Sequence, residues 1–255
     1  MSTLKHTVRK RPVKRPIKQA VRKKSAPKKI GIMNESSLHH ELKLRYTGKG
    51  GKTEVTAGEY IADGRRKDGE YIEIQTGSFA PLKDKVKKLS ANGRVRVIHP
   101  VAVTKTIEVY KPNKRKPYGA LLYRKKSPLK GSQWNIFDAL THAPLLPLIR
   151  RLTVEVALVD ILEKRIKDGK GSRRRKGISL YDKELTALHE SLIFKKPADY
   201  LRFVPFKKNE EFTVLSHAEK AGIKRELSQK ALYVLAKMNL IKRIGKNGNA
   251  WVYAR

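Results

Sequence analysis

The chain of 255 residues carries 59 Lys and Arg against 23 Asp and Glu, a formal charge of +36, and no cysteine. That length buries a sizeable core in one or two domains, and the lack of cysteine excludes disulfides, thiolate nucleophiles and Cys-ligated zinc, leaving oxygen and imidazole as metal donors. So large a charge suits a polyanion that releases its counterions on contact, which makes nucleic acid the leading partner. No run of about 18 apolar residues reads as a membrane span, so the expectation is an intracellular protein, cytoplasmic or nucleoid-associated, with no membrane partner.

Residues 1–30 read as a disordered basic arm: positions 1 to 29 hold twelve Lys or Arg, three prolines and no acid. Such a composition forms no core and suits phosphate contacts. In "NESSLHHELKLRY", Asn34 as N-cap, Glu35 in the first turn and Leu38, Leu42 and Tyr46 at helical spacing predict a helix. His39 lies four residues after Glu35 on the same face and reads as packed or hydrogen-bonded rather than as a ligand. Past "TGKGGK", the runs "TEVTAGEYIADGRR" and "EYIEIQTG" read as strands around the turn "KDG". "SFAPLKDKVKKLSANG" then reads as a helix ending at Asn92-Gly93, and "RVRVIHPVAV" as a strand. Residues 104–131 are basic and hairpin-like, "WNIFDALTHAPLLPLI" suggests helix, and "LTVEVALVDILEKRI" alternates like a long strand. "KDGKGSRRRKG" is a basic loop, and residues 181–206 read as two short helices.

The turn at "KDG" decides which side chains share a face. If Asp68-Gly69 formed a two-residue turn, Asp63 would lie opposite Ile74, on the buried side. A three-residue turn, Lys67-Asp68-Gly69 with Gly69 left-handed, places Asp63 opposite Glu73, with Gln75 on the same face. Directly opposed residues sit about 5 Å apart, close enough for one hard cation, Mg²⁺ or Mn²⁺, to bridge both carboxylates. The alternative is a turn acid beside Gly64 and an exposed strand acid.

The order of a helix with an early Glu, a strand, "ADG", "IEIQTG", a basic helix and another strand over residues 34 to about 103 resembles the core of the PD-(D/E)xK nuclease superfamily. The resemblance implies a restriction-endonuclease-like α/β fold with a mixed sheet, similar to Holliday-junction resolvases. It implies Asp63, Glu73 and the helix acid Glu35 as ligands of Mg²⁺ or Mn²⁺, and Gln75 as the third motif position. Two departures stand out: Ala62 precedes Asp63 where Pro is common, and Gln75 stands where Lys is usual, with Lys83 on the following helix as a replacement cation.

Residues 211–255 resemble a winged helix-turn-helix: "EFTVLSHAEKAGI", "KRELSQKALYVLAKMNL", and a wing in "IKRIGKNGNAWVYAR". Ile223, Leu227, Val234, Leu235 and Met238 form an inward stripe, while Arg225, Ser228 and Gln229 are groove-facing candidates and Lys242, Arg243 and Lys246 are wing contacts. Asn239 fits a left-handed cap.

The expected organisation is therefore a basic arm (1–30), a nuclease-like domain with extra strands (31–167), a basic loop and helical connector (168–210) and a winged helix (211–255). The expected function is a metal-dependent endonuclease acting on duplex or branched DNA, as a homodimer if both strands are cut. Gln75 keeps open a DNA-binding regulator or architectural protein on an inactivated nuclease fold, and the charge equally admits an RNA-binding protein.

Overall fold

The computed structural model describes residues 35–255; the basic arm and the Asn34 cap lie outside the described residues. Helix α1 (Ser37–Thr47) is capped by Ser36, whose side chain accepts from His39 N at 3.3 Å, so Glu35 precedes the helix rather than occupying its first turn. The first strand-like run divides at Gly58, where φ is +64°, into β1 (Lys52–Ala57) and β2 (Tyr60–Arg65), which pair antiparallel. β3 (Tyr71–Ile74) returns antiparallel to β2, and α2 (Lys83–Asn92) follows, ending at the expected residue. Thr47 closes α1 directly above Gly64 of β2, where an added Cβ would stand 2.1 Å from Thr47 Oγ1. Only glycine lets the helix approach the strand so closely.

β4 (Val95–Tyr110) and β6 (Leu152–Ile166) are long parallel neighbours, joined through β5 (Leu121–Lys126), which pairs with the far half of β4, and the short helix α3 (Ile136–Leu140). Residues 179–194, expected as helical connector, instead form β7 (Ser179–Phe194), antiparallel to β6 along its length. Leu185 and Leu188 lie three apart, a helical interval, yet share a face because the register of β7 slips between them against β6, and Leu192 packs on the opposite face. A bulge adds a residue and turns a step of two into one of three. The sheet is seven-stranded and mixed, in the order β1-β2-β3-β4-β6-β7 with β5 on β4.

The chain closes with β8 (Phe212–Thr213), α4 (Val214–Ala221), α5 (Arg225–Lys237) and the hairpin β9 (Lys242–Asn247) and β10 (Ala250–Ala254), in a small sheet ordered β8-β10-β9. Gly222 between the helices and Asn239 after the second take left-handed conformations. One face of the large sheet packs Ile72, Ile74, Ile98 and Val159 against Leu38 and Leu42 of α1. A second core joins Val86 and Leu89 of α2, Phe137 and Leu140 of α3, and Leu232 and Leu235 of α5 without a break at residue 210. Each fully buried Leu or Ile contributes about 1.5–3 kcal/mol. Among the described residues no helix is long and apolar enough to cross a membrane.

Gly64→Ala must push Thr47 or the α1 terminus away and should lower unfolding free energy by about 1–3 kcal/mol in denaturant titration. Gly245→Ala, whose Cβ meets nothing within 4 Å, should stay within about 0.5 kcal/mol of the parent.

Candidate active site: a buried acid pair

The reversal between β2 and β3 has three residues. Arg66 N donates to Glu70 O at 2.9 Å, and Gly69, with φ +85°, donates to Arg66 O at 3.0 Å. Gly64 pairs with Ile72 and Arg65 with Tyr71, so the next step sets Asp63 against Glu73, as the odd-length turn requires. At that step side chains replace the ladder: Ile74 N donates to Asp63 Oδ2 at 2.7 Å, and Asp63 N points to Glu73 Oε1 at 3.4 Å. The carboxylates thus meet where the two strands part.

Glu73 is only 2% exposed, so this is no solvated sheet face. Its Oε2 accepts from Lys85 Nζ of α2 at 2.6 Å. Burial drives the Glu73 carboxyl upward, the Asp63 charge adds to that, and Lys85 opposes both, leaving it at about 7. Burial also pushes Asp63 up, but hydrogen bonds from His39 and Ile74 N hold it below the usual carboxylate range.

His39 is the link to α1. Its Nδ1 bonds the Glu35 carboxylate, and its Nε2 lies 3.0 Å from Ile74 O and 3.5 Å from Asp63 Oδ2. Burial works against the imidazolium, yet Asp63 and Glu35 raise it to about 9, which favours the cationic form at neutral pH. Glu35 is also held by Lys43 Nζ at 2.8 Å, and together these partners keep it ionised against its burial. The expected third acid therefore reaches the pair only through His39. Among the described residues no group of three or more His, Asp or Glu is placed to hold a metal ion.

Gln75 turns away from the acids: its Nε2 donates to Ser78 O at 2.7 Å, while its main-chain carbonyl accepts from His99 Nδ1 at 2.6 Å. Lys83 is exposed, and the lysine on Glu73 is Lys85. The sequence contained that signal. Lys85 lies three residues after Leu82 and four before Leu89, both buried, whereas Lys83 is rotated off that face.

At the C-terminus, Arg225 and Gln229 are exposed on α5 as expected. Ser228 is not: it is fully buried, its hydroxyl 2.9 Å from both His217 Nδ1 and Val214 O. Its position one turn before Leu232 puts it on the packed face. Lys242, Arg243 and Lys246 are exposed on β9, and the guanidinium of Arg243 and the ammonium of Lys246 lie 4.9 Å and 4.6 Å from the Trp251 ring.

The fold is thus a mixed α/β sheet protein with a buried acid pair at the parting of two strands. A family model described as "Domain of unknown function (DUF8091)" matches residues 36–195, from α1 through β7, and the chain belongs to that family. A protein of Treponema pallidum (strain Nichols) described as "Uncharacterized protein" is 30% identical over 173 residues, covering 65% of this chain and 64% of that relative. The chain thus spans a little under two thirds of that relative's length. No solved structure matches.

The raised Glu73 has a stability consequence. A carboxyl titrating at about 7 when folded and near 4.5 when unfolded stabilises the fold fully only below the lower value, and that stability is lost as pH rises through the upper one. Denaturant titrations of the parent and Glu73→Gln should show the parent losing about 3 kcal/mol relative to the variant between pH 4.5 and 8. A pH-independent difference would mean that Glu73 is not held uncharged by its surroundings.

Proposed function

We propose that the protein is a divalent-metal-dependent DNA endonuclease with a PD-(D/E)xK-like acid site and a C-terminal winged helix, working in the cytoplasm at the nucleoid. The observation that carries this reading is the convergence of Asp63 and Glu73 with Lys85 on Glu73. The donors fit a hard cation: they are carboxylate oxygens, and the burial that raises Glu73, with the Asp63 charge adding to it, is what a divalent ion would offset. Asp63 and Glu73 would hold Mg²⁺ or Mn²⁺; Glu35, its oxygens taken by His39 and Lys43, would not. Bound there, the ion supplies Lewis-acid stabilisation for phosphodiester hydrolysis.

The chain's own residues do the remaining work. Lys85 brings from α2 the cation that Gln75 lacks, placed to meet charge developing on a phosphate. His39 fixes the orientation of Asp63, and Gln75 ties down the loop at Ser78. Arg225 and Gln229 of α5, with Lys242, Arg243 and Lys246 of the wing, contact the DNA.

One observation favours a second reading. All three acids already have cationic partners, Lys43, His39 and Lys85, which suits a DNA-binding regulator with no chemistry. Supercoiled, linear and branched DNA, and structured RNA as competitor, should be incubated with the protein in Mg²⁺ or Mn²⁺. Cleavage that Asp63→Asn or Glu73→Gln lowers by about 100-fold or more with binding intact, and that Lys85→Met also lowers, supports the nuclease. Binding of duplex DNA without cleavage by the parent assigns the regulator.

A further inference from the structure

β4, β6 and β7 extend well beyond the acid pair and end together, since Tyr110 lies beside Ile166 and Ile166 beside Ser179. Two loops leave from that end, residues 111–120 and 167–178, with ten Lys or Arg between them against the single acid Asp168. Lys114, Arg115 and Lys116 on one, and Arg173, Arg174 and Arg175 on the other, are exposed.

Three observations separate this end from an ordinary solvated surface. First, the loops are built. Asn113 Oδ1 accepts from Arg115 N and Lys116 N at 2.8 and 3.0 Å, and Gly119 N donates to Lys111 O at 2.7 Å. Asp168 is used internally, accepting from Lys170 N at 3.0 Å and Ser179 Oγ at 2.8 Å, and Gly169, Lys176 and Gly177 hold left-handed turns. Tyr118 seats the first loop against Tyr110 and Tyr181, with ring centroids 4.3 and 5.4 Å away.

Second, the cations of β4 and β6 are paired: Lys105 and Arg165 with the buried Glu163, Lys164 with Glu184, and Arg96 with Glu70 and Glu155. Among the described residues, none of the ten loop cations has a carboxylate within ion-pair distance. Residues 1–34 contain no Asp or Glu that could pair with them.

Third, residues 111–119 and 167–177 contain no Leu, Ile, Val, Met, Phe or Trp. The tip offers charge and arginine forks without an apolar wedge, which suits phosphates held in water better than a lipid interior.

We propose that this two-loop tip is a sequence-independent nucleic-acid phosphate clamp, separate from the acid pair and from the C-terminal hairpin. It rests on the nucleic-acid part of the functional reading and not on cleavage. Glu73 pairs with Val97 of β4. Tyr110 lies thirteen residues further along the same strand, which at about 3.3 Å per residue is about 40 Å. That span corresponds to about 12 base pairs of duplex at about 3.4 Å each. A duplex laid along the strands from the acid pair reaches the clamp about one helical turn away, so the tip sets register without reading bases.

The test uses the full chain, without divalent metal, and two triple variants: Lys114→Gln with Arg115→Gln and Lys116→Gln, and Arg173→Gln with Arg174→Gln and Arg175→Gln. Affinity for two unrelated duplexes of about 25 base pairs is measured by fluorescence anisotropy from about 50 to 300 mM salt. Each neutralised phosphate contact contributes about 0.9 to the slope of log K against log salt. Each variant should lower the slope by about 2 and the affinity at 150 mM by about tenfold or more, equally on both sequences, with its circular dichroism unchanged. Unchanged slopes in both variants overturn the proposal. So does loss of binding to phosphatidylserine vesicles with duplex binding intact, which would make the tip a membrane contact. The cleavage assay of the parent in Mg²⁺ keeps the two readings apart: a protein that never cuts DNA but loses slope with the tip cations retains the clamp and loses the nuclease.

Discussion

The site depends on the parity of one turn. Because side chains alternate across a strand, the three residues Lys67–Gly69 place Asp63 against Glu73, and a two-residue turn would have placed an isoleucine there. Gly69 makes the odd length available by taking φ +85°, a conformation that side-chain-bearing residues adopt only with strain. Once opposed, the acids alter the backbone pairing itself. Asp63 takes the Ile74 amide that a ladder partner would otherwise receive, so the strands part at the acid pair. Local backbone and site are one feature, and the close seating of α1 over Gly64 keeps His39 within reach of it.

The charges fall into two populations with different physical roles. Those near the sheet are compensated: Glu155 and Glu163 are buried, and each meets Arg or Lys on a neighbouring strand. Breaking such pairs leaves an uncompensated buried charge and costs several kcal/mol, so these cations act in folding. Much of the surplus that makes the chain +36 stands elsewhere, in the basic arm sequence, the two end loops and the exposed face of the last hairpin. Surface charge of that kind adds little to stability but raises encounter rates with polyanions.

Features set by local chemistry were legible in the sequence. The Gly69 turn, the α2 terminus at Asn92, the left-handed Asn239 and the long alternation of β6 all follow from one or a few neighbouring residues. Features set by distant partners were not. β7 carries a helical spacing at Leu185 and Leu188 because a bulge against β6 resets its period, and bulges depend on the pairing strand. Ser228 looks like a groove residue until His217 and the Val214 carbonyl are folded over it. The cap of α1 is Ser36, whose side chain accepts from His39 N, where the sequence pattern points to Asn34. The partnership of Lys85 with Glu73 needed only the rotation of α2 about Leu82 and Leu89, a periodicity the sequence does print.

Glu73 is the residue that folding alone does not explain. β3 reads Tyr-Ile-Glu-Ile, all four side chains buried, and an apolar residue at 73 would complete that core without desolvating a carboxylate beside Asp63. Replacing buried ionic groups by hydrophobic ones is often neutral or stabilising, so a buried, repelled acid is a net liability to the native state. Lys85 offsets part of this and leaves the carboxyl at about 7 even so. Protons and hard cations compete for the same oxygens, and a site whose acids are poorly neutralised by the fold gains the most from a bound cation. The same burial and repulsion that lower stability are therefore the source of affinity in the proposed site, and they lie with two residues that a single three-residue turn brings together.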